Sequence, residues 1–220
     1  MATSTAENYL KVILVQSRVE DEIVSTGAIS EALGVTPGTV TAMMKSLASQ
    51  GLLEHRSHEG VRLTPEGRRV ALNVVRKHRL VETFLVQVLK MDWAEVDREA
   101  DALEHAISDR VLARIDDLLD HPKVDPHGDL IPRGDSGQFE HGDGLSLGNC
   151  EEGKTFRVER ILDQSPEFLA FVQSNGLKPG AEIIVRKHNR VSGVVECELT
   201  AGVCTLGLPE AGKIQVRQAR

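Results

Sequence analysis

The sequence predicts a mainly α-helical protein that ends in a small β domain. Three observations lead there. Residues 5–119 read as a succession of amphipathic helices broken by one short hairpin. Residues 121–144, "HPKVDPHGDLIPRGDSGQFEHGDG", are rich in Pro, Gly, Asp and His and read as an extended connector followed by a flexible linker. Beyond residue 151 come short runs of β-formers separated by Gly, Pro and Asn.

The first helix is expected over 5–19, with Tyr9, Val12, Ile13 and Gln16 on one face. After the polar break "EDEIVSTG", a short helix begins at a Ser25 or Thr26 cap and stops at Gly34. The next helix has Thr36 as cap and Pro37 at its first position. Val40, Met44 and Leu47 form its inward stripe, and Gly51 ends it. Helix, tight turn, helix is the layout of a helix-turn-helix, whose second helix enters a major groove. Leu52–Glu54 and Val61–Leu63 then pair as a hairpin over the His58-Glu59-Gly60 tip, which makes a wing.

Thr64 and Pro65 restart a helix that runs to about Leu89. Asp92 and Glu95 fit a capping box for a further helix, expected to continue to about Leu119. In the last part, "AEIIVRKH", "VVECELT" and "KIQVRQ" are strands, and a small barrel is the natural solution for strands this short. The divisions expected are a winged helix-turn-helix over 1–73, a helical domain over 74–134, a linker over 135–150 and the β domain over 151–220.

Composition bounds the function. No apolar run approaches the ~18 residues of a membrane span, and no basic segment precedes the first apolar stretch as in a secretory signal. Three irregularly spaced cysteines, with no CxxC pair, point to a reducing compartment, so the expectation is a cytoplasmic protein without membrane partners. The net charge of −7 is unevenly spread: residues 1–80 carry +2, residues 81–150 carry −10 and residues 151–220 carry +1. Within 43–79 the balance is +5, and a local basic patch matters more to a phosphate backbone than the whole-chain charge.

Two ordinary core helices would share the helix-turn-helix pattern; the wing and the local charge favour duplex DNA. The residues assigned to the DNA face are Thr36, Pro37, Gly38, Thr39, Thr41, Ala42 and Lys45 on the second helix, with Arg56 and Arg62 on the wing. The helix residues are mostly small and polar, which suits close approach to bases and phosphates. With no long Arg or Asn to read a base by two hydrogen bonds, specificity leans on methyl contacts and DNA shape.

"DREADALEHAISD" places acids and a histidine at helical spacing. At about 100° per residue, Asp97, Asp101, Glu104 and His105 fall within an arc of about 100°. His78 and Glu82 make an i, i+4 pair on the preceding helix. A solvated acidic face accounts for most such runs. Here Leu103, Ala106 and Ile107 flank the cluster, and partly buried acids need a cation to offset them. Carboxylates with imidazole suit a first-row divalent ion such as Mn²⁺ or Fe²⁺. His121, His127 and His141 read as turn and cap residues, not ligands. GxSxG, HExxH and P-loop motifs are absent from the sequence, and no enzyme substrate is implied.

A winged helix-turn-helix followed by "RKHRLVETFL", "DREADALEHAISD" and "HPKVDPHGDLIP", then a small β domain, resembles the diphtheria-toxin-repressor family of metal-dependent transcriptional repressors, including its manganese-transport-regulator branch. The resemblance covers nearly the whole chain, and its β part looks like an SH3-like, FeoA-type domain. It implies a homodimer, a helical dimerisation and metal-binding domain, and two metal positions. Asp101, Glu104 and His105 would form the primary one, with Asn8 at the family's first-helix ligand position. His78, Glu82 and Asp97 would form the second, with Gln164 and Glu167 at positions where longer members add ligands from the β domain. Lys11 stands where the manganese branch has a ligating Glu. The carboxylate-rich set favours Mn²⁺, with Fe²⁺ next. The implied function is a repressor of metal-homeostasis genes in which metal fixes two recognition helices to match a palindromic operator. The rivals are a carboxylate-bridged metal enzyme and a metal-independent winged-helix regulator sensing a small ligand or a protein through its C-terminal domain.

Overall fold

A computed structural model describes residues 3–17, 22–56, 59–133, 144–189, 191–200 and 202–219. The chain divides into two compact units. The first comprises the described residues within 1–81, 101–114 and 131–141, and the second those within 82–100, 115–130 and 142–220.

In the first unit, α1 (Ser4–Gln16) is capped by Thr3, whose hydroxyl accepts from the Ala6 amide. It buries Ala6, Tyr9, Leu10, Ile13 and Leu14. Residues 18 and 19 of the expected first helix lie outside the described residues. The capping of α2 (Thr26–Leu33) falls to Ser25, and Gly34 ends it in the left-handed region at φ 64°. Three residues on, α3 (Pro37–Ser49) starts as the sequence predicts: Thr36 caps it, Pro37 opens it, and Val40, Met44 and Leu47 are buried.

The wing is β1 (Leu53–Arg56) against β2 (Gly60–Leu63), antiparallel, with Leu53 opposite Leu63 and Arg56 opposite Gly60. His58, at its expected tip, lies outside the described residues. Val24 adds a third rung, exchanging both backbone hydrogen bonds with Val61. Gly60 is required there: at φ 137° a Cβ would stand 2.3 Å from the Val24 oxygen. These elements share one aliphatic core with Ala71, Leu72 and Val75 of α4 (Pro65–Gln87).

The helix expected from Asp92 to Leu119 is instead two. Asp92 caps a turn through the Ala94 amide (2.9 Å), and α5 is confined to Val96–Glu104. Its end tightens as the Ala106 and Ile107 amides both bond the Leu103 oxygen. Ser108 then caps α6 (Asp109–Leu118). Ala106 and Ile107 continue the apolar rhythm in the sequence, but a Ser-Asp start is the stronger local instruction.

The second unit is built on a six-stranded antiparallel sheet. Its strands are β3 (Leu145–Ser146), β4 (Thr155–Ile161), β5 (Glu182–Asn189), β6 (Val194–Leu199), β7 (Gly202–Gly207) and β8 (Ile214–Gln218), in the order β3-β8-β4-β5-β6-β7. Register shifts at Val158/Arg160 and Val185/Lys187 mark bulges, which bend and twist a sheet. Two helices not foreseen from the sequence, α7 (Pro166–Ser174) and α8 (Leu208–Ala211), pack on this core, each opened by a proline in its first turn. Of the expected linker, residues 135–143 lie outside the described residues, while Leu147 is fully buried in the sheet's core. Cys150, Cys197 and Cys204 are buried free thiols.

Candidate functional site

Within the first unit, α1, α4 and the end of α5 bring one group of charges together. Glu104 is buried, 1% exposed, and accepts from Lys11 Nζ at 2.9 Å. His78 Nδ1 stands 2.7 Å from the same Glu104 oxygen. Lys11 Nζ also donates to Asp101 Oδ1 (2.8 Å) and lies 2.9 Å from His78 Nδ1. Desolvation works against the Asp101 charge, but the hydrogen bond from His78 and the charge and hydrogen bond of Lys11 outweigh it. The Asp101 carboxyl is held well below the usual carboxylate range. His105 sits beside this group, its Nδ1 2.7 Å from Glu7 Oε2 and its Nε2 2.7 Å from Asn8 Oδ1. Asp101, Glu104, His105 and Asn8 are thus neighbours, joined by His78 and with Lys11 and Glu7 as partners the sequence reading did not assign; Glu82 and Asp97, grouped with His78 in the sequence reading, belong to the other unit.

Within the second unit, Glu82, Asp125 and His127 form a separate buried group. Each offers a ligand atom, and these atoms lie within 4.8 Å of one another. Their exposures are 1%, 5% and 0%. The loop carrying two of them is tightly organised. Asp125 Oδ1 accepts from the amides of His127 (2.8 Å) and Asp129 (3.0 Å). The Ile161 amide bonds the His127 oxygen, and Gly128 passes so close to β4 that a Cβ would meet the Glu159 oxygen at 2.0 Å. Gln164 donates to Asp129 Oδ2 (2.6 Å), and Arg160 pairs with the other Asp129 oxygen. Gln164 therefore braces this loop through Asp129, while Glu167 is exposed in the first turn of α7.

His127 belongs to the connector whose histidines read from the sequence as turn and cap residues. It does sit in a turn, but its ring is fully buried and stacks on Trp93 at 5.3 Å between centroids. Its Nε2 lies 2.9 Å from the Trp93 main-chain oxygen. A carbonyl only accepts, so Nε2 carries a proton, and Nδ1 is the nitrogen whose lone pair is open to a metal. That atom has no hydrogen-bond partner among the described residues and lies 3.7 Å from Glu82 Oε1. A buried imidazole lone pair beside two carboxylates suits a divalent cation, and an outer hydrogen bond to a carbonyl is the usual way to orient a ligating histidine. The sequence held a faint signal in "VDPHGD", where Asp-x-His is compatible with a pair of ligands on one loop. His121 is the cap it was read as, in the left-handed region at φ 53° after α6. His141 lies outside the described residues.

On α3, Thr36, Pro37, Gly38, Thr39, Ala42 and Lys45 are exposed on one surface, and Thr41 is half-buried with its hydroxyl donating to the Pro37 oxygen (2.9 Å). On the wing, Arg62 is held by Glu54 at 2.7 Å and Arg56 faces Glu59 at 3.5 Å. Both arginines are therefore part-neutralised by wing carboxylates, a feature the charge count had not resolved.

Known protein families match three successive parts of the chain. The family described as "Iron dependent repressor, N-terminal DNA binding domain" matches residues 1–61, and "Iron dependent repressor, metal binding and dimerisation domain" matches residues 64–133. The FeoA domain matches residues 145–218. The chain is 31% identical over 198 residues to the diphtheria toxin repressor of Corynebacterium efficiens, covering 85% of each protein. It is 36% identical over 164 residues to the iron-dependent repressor IdeR of Mycobacterium tuberculosis, covering 74% of this chain and 68% of that one. Among solved structures, a manganese-dependent transcriptional repressor in complex with manganese is 40% identical, with a TM-score of 0.85 over 97% of this chain and 100% of the other. ScaR with bound Zn²⁺ is 31% identical, with a TM-score of 0.78 over 97% of this chain and 99% of the other. The chain belongs to the iron-dependent repressor family, the diphtheria-toxin-repressor group of metal-dependent transcriptional repressors.

Proposed function

We propose that this chain is a homodimeric repressor that grips operator DNA when a divalent ion is held by Glu82, Asp125 and His127. Mn²⁺ is favoured and Fe²⁺ comes next, because the set is two carboxylates and one imidazole with no thiolate. The single observation that carries this reading is His127 Nδ1, buried 3.7 Å from Glu82 Oε1 with no hydrogen-bond partner among the described residues. A divalent ion there would be held by Glu82 of α4 and by Asp125 and His127 of the 125–129 loop, and would supply the positive charge that offsets the two buried acids. The chain's own residues fix the rest: Trp93 sets the His127 tautomer, and Asp129, Gln164 and Arg160 hold the loop.

DNA recognition falls to the exposed start of α3, with Thr36, Pro37, Gly38, Thr39, Ala42 and Lys45 against the major groove and Arg56 and Arg62 against the flanking backbone. The divisions 1–73, 74–134 and 151–220 then correspond to DNA binding, dimerisation with metal binding, and the FeoA-type domain, and the regulated genes are those of metal homeostasis. No described helix is long and apolar enough to cross a membrane. The family consists of repressors rather than enzymes, so the metal-enzyme reading falls away.

The test is fluorescence anisotropy of promoter-region duplexes at fixed salt, since salt alone moves affinity. Binding that appears with Mn²⁺ and disappears with chelator supports the proposal. Binding indifferent to chelator supports the metal-independent regulator instead.

A further inference from the structure

The chain carries its own cation in the first cluster. Lys11 Nζ stands 2.8 Å from Asp101 Oδ1, 2.9 Å from Glu104 Oε2 and 2.9 Å from His78 Nδ1. All three are atoms that a divalent ion in this cluster would need. An ammonium donates up to three hydrogen bonds, and two of them go to the carboxylates here. The side chain is 18% exposed, and the Glu104 it neutralises is fully buried. A metal bound by the same atoms sits about 2.0–2.2 Å from each, so it and the ammonium compete for one volume. The other potential ligand, His105, is turned to Glu7 and Asn8, at 2.7 Å from each.

We propose that Lys11 is the resident counter-ion of the His78–Asp101–Glu104 cluster and closes it to metal, so that each chain takes a single divalent ion, at Glu82–Asp125–His127. The inference rests on the metal-binding reading above for the second cluster only. Its consequence is a division of labour. The clasp from α1 to the end of α5 is formed by Lys11 in the absence of metal as well as in its presence. Asp101 and Glu104 then belong to a finished ionic network, and metal control passes to the second cluster alone.

The test is Mn²⁺ stoichiometry per chain, by elemental analysis and calorimetric titration of the full-length protein after chelator treatment. Wild type is expected to bind one ion, His127→Ala none, and Lys11→Glu two, because the new carboxylate replaces an ammonium with a ligand. Two ions in wild type, or one retained by His127→Ala, overturns the inference. If wild type binds none, the metal-sensor reading fails, and the first cluster is judged by Lys11→Glu alone: one ion supports Lys11 as the closure, none overturns it. A second variant, Lys11→Gln, removes the charge without adding a ligand. In chelator its thermal midpoint should fall below that of wild type, and Mn²⁺ should raise it by more than it raises wild type, because the vacated cluster fills as well as the second one. An unchanged midpoint in chelator overturns the counter-ion role.

Discussion

His127 Nε2 donates to the main-chain oxygen of Trp93 at 2.9 Å, and this one hydrogen bond decides which ring nitrogen can hold a metal. With the proton fixed on Nε2, Nδ1 faces Glu82 with its lone pair. Loss of an outer partner of a ligating histidine typically costs about 10–100-fold in metal affinity. Removal of the ring itself by His127→Ala should exceed that, read by competition of Mn²⁺ against a fluorescent chelator. An affinity within threefold of wild type would show that the ring packs against Trp93 and nothing more.

Lys45 projects from the exposed side of α3, away from the buried Val40, Met44 and Leu47. As a phosphate contact it supplies affinity without sequence preference. Lys45→Ala should weaken binding to matched and mismatched duplexes alike, and lower the slope of log K against log salt by about one. A loss confined to one base position would instead make Lys45 a base reader.

Gly67 lies in the first turns of α4, directly under the Leu52 carbonyl. A Cβ there would fall 1.9 Å from that oxygen. Gly67→Ala forces the helix away from the Leu52 backbone just before β1, and overpacking of this kind costs about 3 kcal/mol or somewhat more. Denaturant unfolding checks it; a change under about 0.5 kcal/mol, as at ordinary surface sites, would contradict the packing described.

Asp101 gives a pH dependence with a defined sign. Its native pKa is depressed below the unfolded value of about 3.9 by His78 and Lys11 acting against desolvation. The pairing therefore stabilises the fold fully above the unfolded value and is lost as pH falls through the native one. In chelator, wild type should lose stability more steeply than Asp101→Asn as pH drops below about 5. The difference is small because Asp101 stands at an exposed edge where solvent screens the pair. Parallel acid-unfolding curves would show that the depressed pKa has no counterpart in solution.

The elements that were legible in the sequence are those specified by adjacent residues. Thr36 with Pro37, Ser25, Gly34, and Thr64 with Pro65 set helix ends through contacts one turn long, and the structure uses each of them. The break at 105–108 was written in Ser108-Asp109, but Ala106 and Ile107 kept the helical rhythm and hid it. Likewise α7 is announced by Ser165-Pro166, within a stretch whose neighbours read as strand. The sites were harder because their meaning is tertiary. Lys11 was visible as a residue where a ligand was expected, yet only the packing of α1 against α4 and α5 delivers its ammonium to Glu104. Asp125 and His127 sit among Pro and Gly in a segment that resembles a surface connector. Their burial comes from a loop pressed on β4, which no local pattern encodes.

Recovery of a DNA duplex from a random pool, followed by its titration with wild type and with Glu82→Gln at saturating Mn²⁺ and in chelator, tests the central claim most directly. The account predicts that wild type binds tightly only with Mn²⁺. Glu82→Gln, folded by circular dichroism, should bind in both conditions no better than wild type in chelator. Tight, Mn²⁺-dependent binding by Glu82→Gln would contradict it, because metal control would then reside outside the Glu82–Asp125–His127 centre.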